Sequence, residues 1–174
     1  MTRVRERIRS VPDFPKPGIL FRDITPVLAD PATLVDALQL HRRAIADLEG
    51  QIDVVVGIES RGFLFGMALA ERLGVGFVPV RKPGKLPAET VEVRYALEYG
   101  EDALQIHADA LAPGDRVLIV DDLLATGGTA DAARQLVERL GGTVLAALFL
   151  IELTGLQGRQ RLSNLRVDTL LRFD

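Results

Sequence analysis

The sequence contains no cysteine and only two histidines, His41 and His107. Without cysteine, the chain can form no disulfide, no thiol nucleophile and no cysteine-ligated zinc site. The two histidines are far apart in the sequence and belong to no ligand cluster, so we expect both to be structural or solvated. We therefore predict no metal centre made from the protein's own side chains.

A strong charge excess and long apolar runs are also missing. The net charge is −3 and the basic residues are dispersed, which does not favour a general nucleic-acid-binding surface. Any anion site must therefore be local. The N-terminus lacks the apolar run of a signal peptide, and no stretch approaches membrane-spanning length. We expect a cytoplasmic protein with no nucleic-acid or membrane partner.

The chain does have the size and apolar content of one globular domain, which we predict over residues 1–174. Four apolar runs are typical of buried parallel strands: residues 52–58, 75–80, 117–120 and 144–151. Residues 63–73 and 129–140 show helical periodicity and are each followed by glycine. This alternation predicts an α/β fold: an open, twisted, mostly parallel sheet with helices on both faces and ligands at the strands' carboxyl ends.

Two segments interrupt the alternation. Residues 11–31 are rich in proline and aromatics and are predicted to form no regular elements before a helix at 32–48. Residues 81–100 begin with a basic run broken by proline and glycine, then alternate from 90 to 97. This second segment is predicted to be a flexible, basic β-arm.

The most informative segment covers residues 117–129, where an apolar strand leads to Asp121 and Asp122 and then to a turn that opens a helix. Backbone N–H groups of such a turn can surround a phosphate, since glycine removes the Cβ obstruction and the helix end favours an anion. The candidate phosphate loop consists of Ala125, Thr126, Gly127, Gly128 and Thr129. The acids need another partner, such as sugar hydroxyls or a metal shared with the substrate. The simpler alternative is a helix-start loop beside two solvated aspartates.

This string resembles the binding motif of the type I phosphoribosyltransferases, in which the acids hold the ribose hydroxyls and the loop holds the 5-phosphate. No G-x-x-x-x-G-K-[ST] loop is present, which excludes a P-loop kinase. Further resemblance, to the adenine-specific members of the family, lies in residues 13–23, 60–66, 78–87 and 97–100. The resemblance runs from about residue 8 to residue 156.

The resemblance implies a pyrophosphate site made of basic residues from two loops, some of them from a neighbouring subunit. Its predicted members are Ser60, Arg61, Arg81, Lys82 and Lys85. Arg61 and Lys85 are also predicted to be catalytic, and a cis peptide is expected at Glu59–Ser60. The alternative for any one of these cations is a solvated basic loop.

The resemblance also implies an N-terminal hood, residues 11–31, that binds the base. Phe21 is predicted to stack on adenine, flanked by Leu20 and Arg22, although packing of the hood is the commoner role of a loop phenylalanine. Glu98 is predicted to be catalytic and to reach the N7 side of the purine; its alternative is a plain surface glutamate.

The implied reaction transfers the 5-phosphoribosyl group of phosphoribosyl pyrophosphate to adenine and gives AMP and pyrophosphate. The implied cofactor is Mg²⁺ bound with phosphoribosyl pyrophosphate near Asp121 and Asp122, and the implied assembly is a homodimer. Two alternatives stay open: a transferase for a 6-oxopurine or another base, and a non-catalytic sensor of nucleotide or phosphoribosyl pyrophosphate.

Overall fold

A computed structural model describes residues 1–96 and 101–174. The N-terminal elements are helix α1 (Thr2–Arg7), strands β1 (Arg9–Pro12) and β2 (Leu20–Asp23), and helices α2 (Thr25–Ala29) and α3 (Pro31–Ala44). Next come β3 (Val54–Ile58), α4 (Gly62–Leu73), β4 (Gly76–Val80), β5 (Thr90–Ala96) and β6 (Glu101–His107). The chain continues with β7 (Arg116–Leu124), α5 (Gly128–Arg139), β8 (Thr143–Leu153), α6 (Gly158–Arg161) and β9 (Val167–Phe173). In the part of the chain so described, no helix is both long and apolar enough to cross a membrane.

The central sheet has five strands in the order β4-β3-β7-β8-β9, and every neighbouring pair is parallel. From β3 the chain moves to one side, to β4, whereas from β7 it moves to the other side, to β8 and β9. The loops that follow β3 and β7 therefore diverge from two adjacent strands. Such a switch point leaves a crevice at the carboxyl ends of the strands.

The strands of the sheet alternate their side chains between two buried cores. On β7, Leu118 and Val120 pack into a core covered by α1, α3 and α4. Val117 and Ile119 pack into a second core covered by α5 and by the antiparallel hairpin of β5 and β6. The predicted open parallel sheet with helices on both faces is confirmed.

Two stretches are more regular than the sequence predicts. The prediction of no regular elements in residues 11–31 is wrong, since β1 and β2 form an antiparallel hairpin and α2 follows it. The turn residues are concentrated at the hairpin tip, where the carboxylate of Asp13 accepts a hydrogen bond from Gly18 N at 2.8 Å. Strand β9 was also missed, because Asp168, Thr169 and Arg172 interrupt its apolar pattern.

The alternation predicted in the arm, residues 81–100, corresponds to β5, which pairs with β6. Residues 97–100, including Glu98, lie outside the described part. The flexibility of the arm stays a prediction.

His41 fixes α3 against α4 in the interior. Its ring is fully buried and stacks on Phe65, with ring centroids 4.7 Å apart and planes 15° apart. Its Nδ1 donates to the Ala37 carbonyl oxygen at 2.7 Å in the tautomer that this distance favours. Burial lowers the pKa of His41 from 6.5 to about 4.

Because the folded protein keeps His41 neutral, the unfolded chain takes up a proton at higher pH than the folded chain does. The stability from neutral His41 is complete above pH 6.5 and is lost as the pH falls toward about 4. The loss should reach about 3 kcal/mol. Urea unfolding of His41→Gln should show a shallower dependence on pH across this window than the wild type. Equal slopes for the two proteins would contradict the assignment, whatever their absolute stabilities.

Candidate active site

The crevice at the switch point exists because α4 begins directly against the end of β7. A Cβ atom on Gly62 would lie 2.5 Å from the Val120 carbonyl oxygen and 3.0 Å from Oδ1 of Asp121. Any side chain at position 62 would therefore push the two elements apart. The β3–α4 turn, residues 59–61, is held beside the acids of β7 by this close approach, and its Glu59–Ser60 peptide is cis, as predicted.

Asp121 and Asp122 lie within β7, which continues beyond the predicted strand to Leu124. Asp122 is 3% exposed, and its Oδ2 accepts a hydrogen bond from Nε of Arg61 at 2.6 Å. Burial, and then the charge of Asp122, raise the pKa of Asp121 well above its ordinary value. Two adjacent carboxylates with one cation form a centre that a hydroxyl donor or a further cation would stabilise.

The phosphate loop follows at the start of α5. Gly127 has a φ of 81° and caps the helix, so the first backbone N–H groups of α5 have no partner within the helix. Within residues 1–96 and 101–174, the N–H groups of Thr126 and Gly127 also have no backbone acceptor. These donors and Asp121 border a cavity of about 60 Å³. The loop can therefore receive a small anion without first giving up hydrogen bonds.

Two of the predicted pyrophosphate residues, Arg81 and Lys82, are hydrogen-bonded to Glu59. Its Oε1 accepts from the Arg81 guanidinium at 3.1 Å, and its Oε2 accepts from the backbone N–H of Lys82 at 2.8 Å. Although burial opposes it, these hydrogen bonds lower the pKa of Glu59. Lys85 is exposed, and its carbonyl oxygen accepts from Arg81 at 3.0 Å. This role of Glu59 could not be predicted from local sequence patterns, since it depends on β4 lying beside β3.

The side chain of Lys82 connects the arm to the phosphate loop. Its Nζ forms an ion pair with Asp102 and donates to the Tyr95 hydroxyl at 3.2 Å. That hydroxyl in turn lies 3.4 Å from Oγ1 of Thr129. Tyr95 and Asp102 are polar neighbours of the site that the sequence analysis missed, because the pairing of β5 with β6 creates them.

The hood places one of its three predicted base-binding side chains, Phe21, beside Arg61, which pairs with Asp122. The Arg61 guanidinium carbon lies 5.4 Å from the centroid of the Phe21 ring, which also packs edge-on against Phe14. Leu20 is 47% exposed. The Arg22 side chain points away from this cluster, toward Ser10 and the ring of Phe173. Arg22 can therefore meet a ligand in the crevice only through its backbone.

A larger surface cavity, about 490 Å³, lies along α3 and contains none of the predicted site residues. Its lining includes Val35, Arg42 and Arg72. Within the described ranges, no group of three or more histidine or carboxylate side chains is arranged to hold a metal ion. The crevice between β3 and β7 is thus the place where the predicted chemistry converges.

The sheet, its switch point and the phosphate loop define the chain as a phosphoribosyltransferase. Residues 25–169 match the phosphoribosyl transferase domain family. The adenine phosphoribosyltransferase of Nitrosococcus oceani is 56% identical over 173 residues, which cover 99% of this chain and 100% of that protein. On this evidence the chain belongs to the adenine phosphoribosyltransferase family.

Solved structures agree with this membership. The adenine phosphoribosyltransferase of Thermoanaerobacter pseudethanolicus has a TM-score of 0.95 at 54% identity, covering 99% of each chain. The enzyme of Saccharomyces cerevisiae has a TM-score of 0.88 at 47% identity and covers 97% of each chain. The yeast protein was solved in complex with adenine and an imino-altritol bisphosphate.

Proposed function

We propose that the protein transfers the 5-phosphoribosyl group of phosphoribosyl pyrophosphate to adenine, releasing AMP and pyrophosphate in purine salvage. The observation that carries the proposal is the crevice at the switch point, where Asp121 and Asp122 precede a loop whose Thr126 and Gly127 N–H groups have no backbone acceptor among the described residues. A sugar phosphate needs both kinds of group, N–H donors for its phosphate and carboxylates for its hydroxyls. Membership of the adenine-specific family and the adenine bound to the yeast relative support the choice of base.

In this proposal the phosphoribosyl group lies along the end of β7. The N–H groups of the phosphate loop, residues 125–129, hold the 5-phosphate together with the hydroxyls of Thr126 and Thr129. Asp121 and Asp122 accept hydrogen bonds from the ribose hydroxyls. Their negative charge also favours the positive charge that develops on the ribose ring as the bond to pyrophosphate breaks.

Pyrophosphate leaves on the other side of the crevice, beside Ser60 and the four cations Arg61, Arg81, Lys82 and Lys85. Three of these cations are paired with carboxylates: Arg61 with Asp122, Arg81 with Glu59 and Lys82 with Asp102. A pyrophosphate group carries more negative charge than any one of these carboxylates. We infer that it takes over these cations, so that the leaving group is neutralised as it departs.

Adenine completes the arrangement from the hood side. Phe21 stacks on the purine, and backbone groups of Leu20 and Arg22 bond its polar edge. Glu98 exchanges a proton with the N7 side of the purine. No residue becomes covalently attached in this scheme, since adenine itself displaces pyrophosphate. Closure of the arm excludes the water that would otherwise hydrolyse the activated sugar.

A divalent cation fits the donor set of this site. Mg²⁺ is usually held by one or two carboxylates together with substrate phosphates, and Asp121 and Asp122 supply two carboxylates at the place proposed for the substrate. When bound, Mg²⁺ would neutralise charge on the pyrophosphate.

We also propose a cytoplasmic homodimer. The exposed apolar side chains of Leu64 and Met67 on α4, 50% and 55% exposed, support an interface on this helix.

The purified protein should form AMP from adenine and phosphoribosyl pyrophosphate, and the activity should disappear when EDTA removes Mg²⁺. Parallel reactions with hypoxanthine, guanine and xanthine should be much slower.

The double variant Asp121→Asn/Asp122→Asn should remain folded and lose about a hundredfold or more in kcat/KM. The active wild-type species should sediment as a dimer.

A preferred 6-oxopurine would contradict the assignment of the base, and unchanged kinetics in the double variant would remove the acids from the site. A fully active monomer would contradict the dimer.

The arm should bind the pyrophosphate group, whereas the phosphate loop should bind the 5-phosphate that AMP and phosphoribosyl pyrophosphate share. AMP carries no pyrophosphate, so Lys85→Ala should reduce turnover with phosphoribosyl pyrophosphate about tenfold or more while AMP binding stays within about twofold. Gly128→Val is the comparison variant, and it should weaken both ligands, since both present the same 5-phosphate to the loop. Calorimetry with AMP and steady-state kinetics measure the two effects. Equal losses in Lys85→Ala would show that the arm does not act on the leaving group.

A further inference from the structure

The phosphate loop has a second contact, with the C-terminal part of the chain. A Cβ atom on Gly127 would lie 2.5 Å from the carbonyl oxygen of Gly158. In return, a Cβ atom on Gly158 would overlap the carbonyl oxygen of Ala125 and lie 3.0 Å from the backbone nitrogen of Gly127. Two backbones thus pack directly against each other, and neither glycine leaves room for a side chain.

The segment that carries Gly158 is held in place by Arg159. The Arg159 guanidinium donates to Oε1 of Glu152 at 2.7 Å, to the Val167 carbonyl oxygen at 2.8 Å and to Oγ1 of Thr169 at 2.8 Å. Glu152 is 6% exposed and lies on β8, whereas the other two acceptors lie on β9. Arg159 therefore anchors Gly158 to two strands of the central sheet.

The backbone reaches this position through an uncommon conformation. Gln157 has a φ of 54°, one of two non-glycine residues with positive φ in the part of the chain that the structure describes. A side chain in the left-handed region costs about 1 kcal/mol or more, and such residues persist where their surroundings hold them. Here the conformation turns the chain so that Gly158 meets the phosphate loop.

We propose that residues 157–162 are a brace that positions the phosphate loop, with Gly158 as the contact and Arg159 as its anchor. This inference rests on the proposed function, because it assumes that the loop binds the 5-phosphate. A loop with two glycines has many accessible conformations. The brace limits them, so that the N–H groups of Thr126 and Gly127 are held at the edge of the cavity when the substrate arrives.

The test is Gly158→Ala, whose added methyl group must displace the Ala125–Gly127 backbone. Titration calorimetry with AMP should show an affinity loss of about tenfold to a hundredfold, because the donors move relative to the phosphate. Adenosine, which lacks the phosphate, should bind the variant as it binds the wild type. The matched control is Gly155→Ala, three residues earlier in the chain, where an added Cβ meets no atom within 4 Å. It should bind AMP normally.

Arg159→Lys provides a milder test if Gly158→Ala does not fold. Lysine keeps the charge but loses the three-way anchor, so AMP affinity should fall while adenosine binding stays constant. Its control is Arg172→Lys, which alters an exposed arginine that contacts the same Glu152 at 3.2 Å. If Arg159 had a purely structural role, Arg159→Lys would lower the unfolding temperature without changing the ratio of AMP affinity to adenosine affinity.

The proposal is overturned if Gly158→Ala binds AMP as tightly as the wild type does, or if AMP and adenosine binding fall together in both test variants. Failure of the proposed function looks different, since the wild-type protein would then neither make AMP nor bind it.

Discussion

The direct contact between the start of α4 and the end of β7 determines the geometry of the candidate site. Gly62 leaves no side chain between the helix and the Val120 carbonyl oxygen, so the turn after β3 reaches the acids of β7. Arg61, the next residue back along the chain, can then pair with Asp122 at 2.6 Å. The parallel sheet provides the crevice, and this contact brings the turn after β3 next to the end of β7.

The charges of the site are balanced before any ligand is present. Each of three basic residues proposed for pyrophosphate has a carboxylate partner, and the buried pair of Asp121 and Asp122 shares the charge of Arg61. Buried carboxylates without such partners would be costly, which explains why the pKa of Asp121 is raised even here. Binding of phosphoribosyl pyrophosphate is then an exchange of partners. The phosphate loop differs, because the N–H groups of Thr126 and Gly127 have no backbone acceptor among the described residues and need no exchange.

Much of this arrangement could be predicted from local sequence patterns. Apolar runs indicated four of the five parallel strands, and the string from 117 to 129 indicated the loop and its acids. What could not be predicted depends on contacts between distant parts of the chain. The pairing of Lys82 with Asp102 needs the β5–β6 hairpin, and the meeting of Gly127 with Gly158 needs β8 and β9 in place. The strands of the hood were hidden because short, proline-rich strands resemble loops in sequence.

A crystal structure of the protein with bound AMP is the decisive measurement for the site, since it locates the ligand relative to both loops at once. We expect the 5-phosphate to lie within hydrogen-bond distance of the backbone N–H groups of residues 126–129. The ribose hydroxyls should lie on Asp121 and Asp122, and the purine ring against Phe21. An AMP phosphate bound instead by Arg81, Lys82 and Lys85 of the arm would contradict this arrangement. The 5-phosphate site and the pyrophosphate site would then be reversed.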